Sequence, residues 1–182
     1  MPDVPHEPAR AHPQPADPAG PGTRFPEVAG RSLLGRTFHL PGDLPAERTL
    51  VVVAFRQWHQ ACVDRWIARA VAEGVPPTIR GAAGRLPRAV LELPVLATRW
   101  RPVRRFIDGG MATGIGDPDV LARTITLYTD TDAFRRALGI PTDAEVHAFI
   151  VTPAGGILAR SAGEPGAGWG SVAAALGSDR VA

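Results

Sequence analysis

Hydrophobic and polar positions along this chain fall into two kinds of run, and their alternation sets the expected architecture. Thr49 to Phe55 is an almost unbroken apolar and β-branched run. It lacks the in-and-out alternation of a half-exposed strand, so it predicts a strand covered on both faces. From Cys62 to Glu73 the period changes: Val63, Trp66, Ile67, Ala70 and Val71 recur at helical spacing. That pattern predicts a helix with one buried stripe, stopped by Gly74 and kept from resuming by Pro76-Pro77. Arg36 to Leu40 reads as a shorter strand, Val90 to Leu96 as another buried one, and Pro102 to Asp108 as a helix. Gly109-Gly110 is expected to break that helix and to leave a mobile segment through Gly116. Asp117-Pro118 predicts a cap followed by a first-turn proline. Thr124 to Tyr128 reads as a strand, and Asp130 or Thr131 as the cap of a helix that reaches Leu138 and ends at Gly139. Val146 to Thr152 and Ile157 to Arg160 predict an antiparallel hairpin around Pro153-Ala154-Gly155-Gly156, followed by a last helix from Gly170 to Leu176. Strands that alternate with helices and close in a hairpin predict an α/β domain, a mixed sheet with helices on both faces.

The N-terminal end has no such pattern. Met1 to Arg24 carries Pro2, Pro5, Pro8, Pro13, Pro15, Pro18 and Pro21 among few apolar residues, and is expected to be a disordered tail. The domain is expected over 25–182.

Composition changes the picture only locally. With 182 residues and 45% apolar content the chain can build one sizeable core. Every basic residue is arginine and the net charge is +2, close to balance. Arg80, Arg85, Arg88, Arg99, Arg101, Arg104 and Arg105 nevertheless share a stretch whose only acid is Glu92. Such a patch suits phosphate or an acidic partner or, more commonly, a solvated face. No nucleic-acid motif accompanies it, and no nucleic acid is expected. No apolar run approaches the ~20 residues of a membrane span, and no signal region opens the chain. One cysteine forms no internal disulfide, so the expected location is the cytoplasm.

That cysteine, Cys62, follows the turn Phe55-Arg56-Gln57-Trp58-His59-Gln60-Ala61 where the buried strand gives way to the helix. A thiol at a helix N-terminus feels the positive end of the peptide dipoles, a field that favours thiolate. Disulfide exchange by a dithiol needs a second sulfur to resolve the mixed disulfide, and this chain has none.

The order of elements, with the residues that mark it, resembles the thioredoxin-like superfamily in its peroxiredoxin and thiol-reductase branch. Three segments carry the likeness: Phe25-Pro26 with Gly30, Leu34-Gly35 and Phe38 to Pro41; Val51 to Cys62; and Val146 to Ile157. It covers roughly Phe25 to Leu176 and implies a thioredoxin-like mixed sheet with a C-terminal hairpin and helix. A narrower likeness, through Phe106-Ile107-Asp108-Gly109-Gly110-Met111, Thr124 to Tyr128 and the hairpin, is to mitochondrial ATP-synthase assembly chaperones of that fold. Against the C-x-x-C of thioredoxins the chain reads His59-Gln60-Ala61-Cys62, with imidazole in place of the first sulfur. Against the T-x-x-C of peroxiredoxins, His59 replaces threonine, Phe55 the upstream proline, and His147 the late-strand arginine.

The resemblance implies that His59, Cys62 and His147 lie near one another. Three readings of that group stay open. Cys62 is a small buried residue without chemistry, a nucleophile activated by His59 or His147, or a ligand with both imidazoles of zinc or copper. Trp58 precedes the turn, where it either shapes a surface or simply packs. The expected function is a binding or assembly/chaperone module without a redox dithiol, with Trp58, Gln60, His147, Arg101 and Arg104 meeting a protein partner and no cofactor. The alternative is a one-cysteine thiol peroxidase or oxidoreductase.

Overall fold

The structure, a computed structural model, describes residues 23–177. Most of the expected tail therefore lies outside the described residues. Its last two residues run along the hairpin turn: Arg24 bridges Gly156, and the Ile157 N–H donates to Thr23 O.

Seven strands form one sheet in the order β2-β1-β5-β4-β3-β6-β7. In chain order these are β1 (Val28–Ser32), β2 (Thr37–Leu40), β3 (Ala46–Ala54), β4 (Leu86–Ala97), β5 (Ile125–Thr129), β6 (His147–Val151) and β7 (Ile157–Ala162). The helices are α1 (Gln60–Ala72), α2 (Arg104–Ile115), α3 (Pro118–Arg123), α4 (Thr131–Leu138) and α5 (Trp169–Leu176). β3, β4 and β5 are parallel, whereas β6 runs antiparallel to β3 and β7 to β6.

The unbroken apolar run of β3 has the cause inferred from its pattern. Leu50 and Val52 face α1 and α5, where they meet Val63, Trp66, Ile67, Val172 and Leu176. Val51 and Val53 face the other layer, with Leu91, Leu93, Phe134, Leu138 and Phe149. Two cores, one on each face, leave no position from Leu50 to Val53 for a polar side chain. The α/β architecture with helices on both faces is as expected.

Local signals also hold where a specific hydrogen bond enforces them. The Asp130 carboxylate accepts from the N–H groups of Asp132 and Ala133 and caps α4, and Gly139 ends it at a left-handed φ of 63°. Asp117 caps α3 by accepting from Asp119 N–H, with Pro118 in the first turn.

Two expectations fail. β1 was not foreseen: its sequence Val-Ala-Gly-Arg-Ser has no recognisable strand pattern. Gly30 is needed there because a Cβ would sit 2.5 Å from Leu127 Cδ2 and 2.6 Å from Ile125 Cγ2 on β5. Nor does Gly109-Gly110 break a helix. A 3-10 segment, Thr98–Val103, leads into α2, which continues through both glycines and ends only where Gly116 turns to φ 68°. Glycine costs roughly 1 kcal/mol against alanine in a helix. Here Ile107, Met111 and Ile115 are half-buried at helical spacing, and the Tyr128 hydroxyl donates to Asp108 at 2.8 Å.

This topology gathers several segments at one end. The parallel strands β3, β4 and β5 all finish there, so the Trp58 turn, the Thr98–Val103 segment and the Asp130 cap share it. β6 begins at the same end, with His147 opposite Val53 and Ala162. No helix of the described residues is long and apolar enough to cross a membrane.

Candidate functional site at the strand-to-helix turn

After β3, residues Gln57–His59 make one 3-10 turn that runs directly into α1. No side chain caps that helix, so its first N–H groups are oriented towards the turn. Trp58 projects outward at 73% exposure. Its ring meets the His59 ring edge-on, with centroids 6.0 Å apart, and the Arg56 guanidinium lies 5.7 Å from its centroid. Arg56 in turn pairs with Asp143.

His59 points the other way and is buried. Its Nδ1 accepts from Phe55 N–H at 3.4 Å, and its Nε2 donates to Ala144 O at 3.2 Å. His147, also buried, donates from Nε2 to Thr142 O at 3.2 Å. The two imidazoles lie close enough for the charge of one to disfavour charge on the other. Burial is the larger cause, and together they hold the His147 imidazole below the usual histidine range. Both rings therefore spend a ring N–H on the loop that precedes β6.

Cys62 makes its hydrogen bond elsewhere. Its thiol donates to Gly163 O at 3.3 Å, and the Trp66 indole N–H donates to the same carbonyl at 2.8 Å. Glu164, the next residue, accepts two hydrogen bonds from Arg65. Burial pushes the thiol up to about 11, the Glu164 carboxylate adds to the rise, and Arg65 only partly opposes it. Desolvation and one carboxylate act against the N-terminal field of α1, which was expected to favour thiolate. The activated-thiol reading thus meets a thiol held protonated. The metal reading meets the absence, among the described residues, of any three His, Cys, Asp or Glu side chains placed to share an ion.

Gln60 is exposed and donates to Asp64 Oδ1 at 3.0 Å. It also acts on the ionisation of Glu92, a residue whose role the sequence did not suggest. Glu92 sits on β4 at 2% exposure and accepts from the Thr124 hydroxyl at 3.3 Å. Burial pushes its carboxyl above the usual range, with Asp64 adding to the effect and Gln60, Thr124 and Arg123 opposing it. A carboxylate inside the run Val-Leu-Glu-Leu-Pro-Val was the available signal. Glu164 gave none, since its contact with Cys62 is set by the end of β7. Arg101 and Arg104 lie exposed on the segment after β4.

No family model matches this chain, and no curated protein matches it. Solved structures do. A candidate electron transfer protein of Aquifex aeolicus aligns at a TM-score of 0.57 and 15% identity, over 86% of this chain and 96% of that one. BsSco, a member of the Sco family of cytochrome c oxidase assembly proteins, aligns at 0.53 and 12%, over 86% and 93%. An exposed lipoprotein thioredoxin of Streptococcus pneumoniae aligns at 0.51 and 11%, over 84% and 98%. The fold of this chain is thioredoxin-like.

Proposed function

We propose that this domain is a binding or assembly module, chaperone-like in character, that keeps the thioredoxin-like frame without thiol chemistry. The observation that carries the reading is the state of Cys62. The only sulfur at the turn donates to Gly163 O and is held protonated beside Glu164, so it is poorly suited to attack a disulfide or a peroxide. What remains available at the turn is surface. Trp58 stands exposed, backed by Arg56 and His59, with Gln60 beside it and Arg101 and Arg104 on the segment that follows the neighbouring strand. Exposed tryptophan and arginine are the residues that anchor protein interfaces. In this reading Trp58 enters a pocket on a protein partner, Gln60, Arg101 and Arg104 form the polar rim, and His147 holds the loop beneath. A lone cysteine suits a reducing compartment, and we place the module in the cytoplasm.

The test is capture of the partner from the native cells by in-cell cross-linking and mass spectrometry, comparing wild type, Cys62→Ser and Trp58→Ala. The expected result is the same partner with wild type and Cys62→Ser, and its loss with Trp58→Ala. Loss with Cys62→Ser alone, together with thiol-dependent peroxide or disulfide turnover, would assign the one-cysteine enzyme in which His59 or His147 activates Cys62.

A further inference from the structure

The Thr98–Val103 segment and α2 contain no buried residue, which is unusual for eighteen consecutive residues of an ordered domain. Three large apolar side chains project from them at three-residue spacing: Trp100 at 44%, Val103 at 47% and Phe106 at 86% exposure. Around them stand Arg99, Arg101, Arg104 and Arg105, all exposed. None of the four forms an ion pair among the described residues. The Arg99 guanidinium lies 5.6 Å from the centroid of the Trp100 ring. Asp108, the one acid within these eighteen residues, is half-buried and accepts from Tyr128, so it does not balance these charges from outside. Gly109 and Gly110 follow Phe106, and a Cβ at either would meet only open space.

We propose that this element docks on the surface of an anionic lipid bilayer. The chemistry is complementary on both counts. Phe and Trp side chains enter the boundary between headgroups and acyl chains, and guanidinium groups pair with lipid phosphates at the same depth. An anionic surface attracts each arginine with about 1 kcal/mol. The anchors recur every third residue along helical backbone, with an arginine next to each in the sequence. A bilayer accepts such a row without a shaped cavity, whereas a stable protein interface buries about 800 Å² per partner with complementary relief. The element would lie on the membrane and not cross it. The proposal turns on Phe106, Arg99 and Arg105, none of which belongs to the Trp58 site; Arg101 and Arg104 border both surfaces and stay unaltered in the test, so the two readings can fail separately.

The experiment is co-sedimentation of the full chain with vesicles of phosphatidylcholine and phosphatidylglycerol in equal parts, against vesicles of phosphatidylcholine alone. Binding is expected only to the anionic vesicles and should fall as salt rises. Phe106→Ala should weaken it about tenfold or more, from the lost burial of one aromatic side chain. The double variant Arg99→Gln, Arg105→Gln should weaken it about thirtyfold. All the altered side chains are exposed, and circular dichroism checks that the variants remain folded. Absence of binding to the anionic vesicles, or binding indifferent to Phe106→Ala, overturns the proposal. So does binding of poly-glutamate in place of vesicles, which would assign the surface to an acidic protein.

Discussion

Raising the pH through the alkaline range should switch on the reactivity of Cys62 only late. An ordinary thiol at 9.0 is displaced here to about 11 by burial and by Glu164. At pH 7.5 that leaves about one molecule in 3,000 as thiolate, against about one in 30 for the unshifted group. Alkylation by iodoacetamide depends on the thiolate, so Cys62 should react about a hundredfold more slowly than a free cysteine control. Restricted access to a half-buried sulfur also slows the reaction, and rate alone would not separate the two causes. The position of the inflection does, because access scales the whole curve without moving its midpoint. The rate should therefore be followed from pH 6 to pH 11.5, with Glu164→Gln alongside. That substitution removes a carboxylate and its hydrogen bond while leaving Arg65, so it should move the inflection down and raise the rate at pH 7.5. An inflection below about pH 7 in the wild type would refute the reasoning, since the helix field would then have prevailed over desolvation.

Other expectations follow from buried groups and close packing. Glu92 has a folded-state pKa above its unfolded value, so its contribution is fully present below about pH 4.5 and is lost as pH rises through the folded value. Glu92→Gln should accordingly stabilise the domain against urea at pH 7, and the gain should vanish near pH 4. His147 has the opposite sign. Its depressed pKa means stability is present above about 6.5 and is lost as pH falls through the folded value. His147→Gln, which keeps a donor for Thr142 O, should flatten the slope of urea stability between pH 6.5 and pH 5. Gly30→Ala should cost about 1–3 kcal/mol in urea unfolding, because its Cβ would press on Leu127 and Ile125.

The frame of the domain was legible because each layer wrote a period into the chain. The two-faced burial of Leu50 to Val53 and the stripe from Val63 to Val71 each specify one element, and their order specifies the sheet. β1 was not legible, since its packing depends on the absence of a side chain at Gly30, against residues about a hundred positions away. α2 misled for a related reason: glycine propensity argues for a break, but Ile107, Met111 and the Asp108–Tyr128 hydrogen bond act against it. At the turn, the register of β3 against β6 places His147 where the charge of His59 reaches it. The chemistry of Cys62 was decided elsewhere. Gly163 and Glu164 reach it from the end of β7, and a contact set by the end of a distant strand leaves no local pattern to read.

The central claim is that this thioredoxin-like domain binds without thiol turnover. Steady-state consumption of hydrogen peroxide with dithiothreitol as donor, together with reduction of insulin disulfides, tests it most directly. The account predicts rates equal to buffer alone, unchanged by Cys62→Ser. Saturable turnover that disappears in Cys62→Ser would contradict it and make the half-buried thiol a working nucleophile.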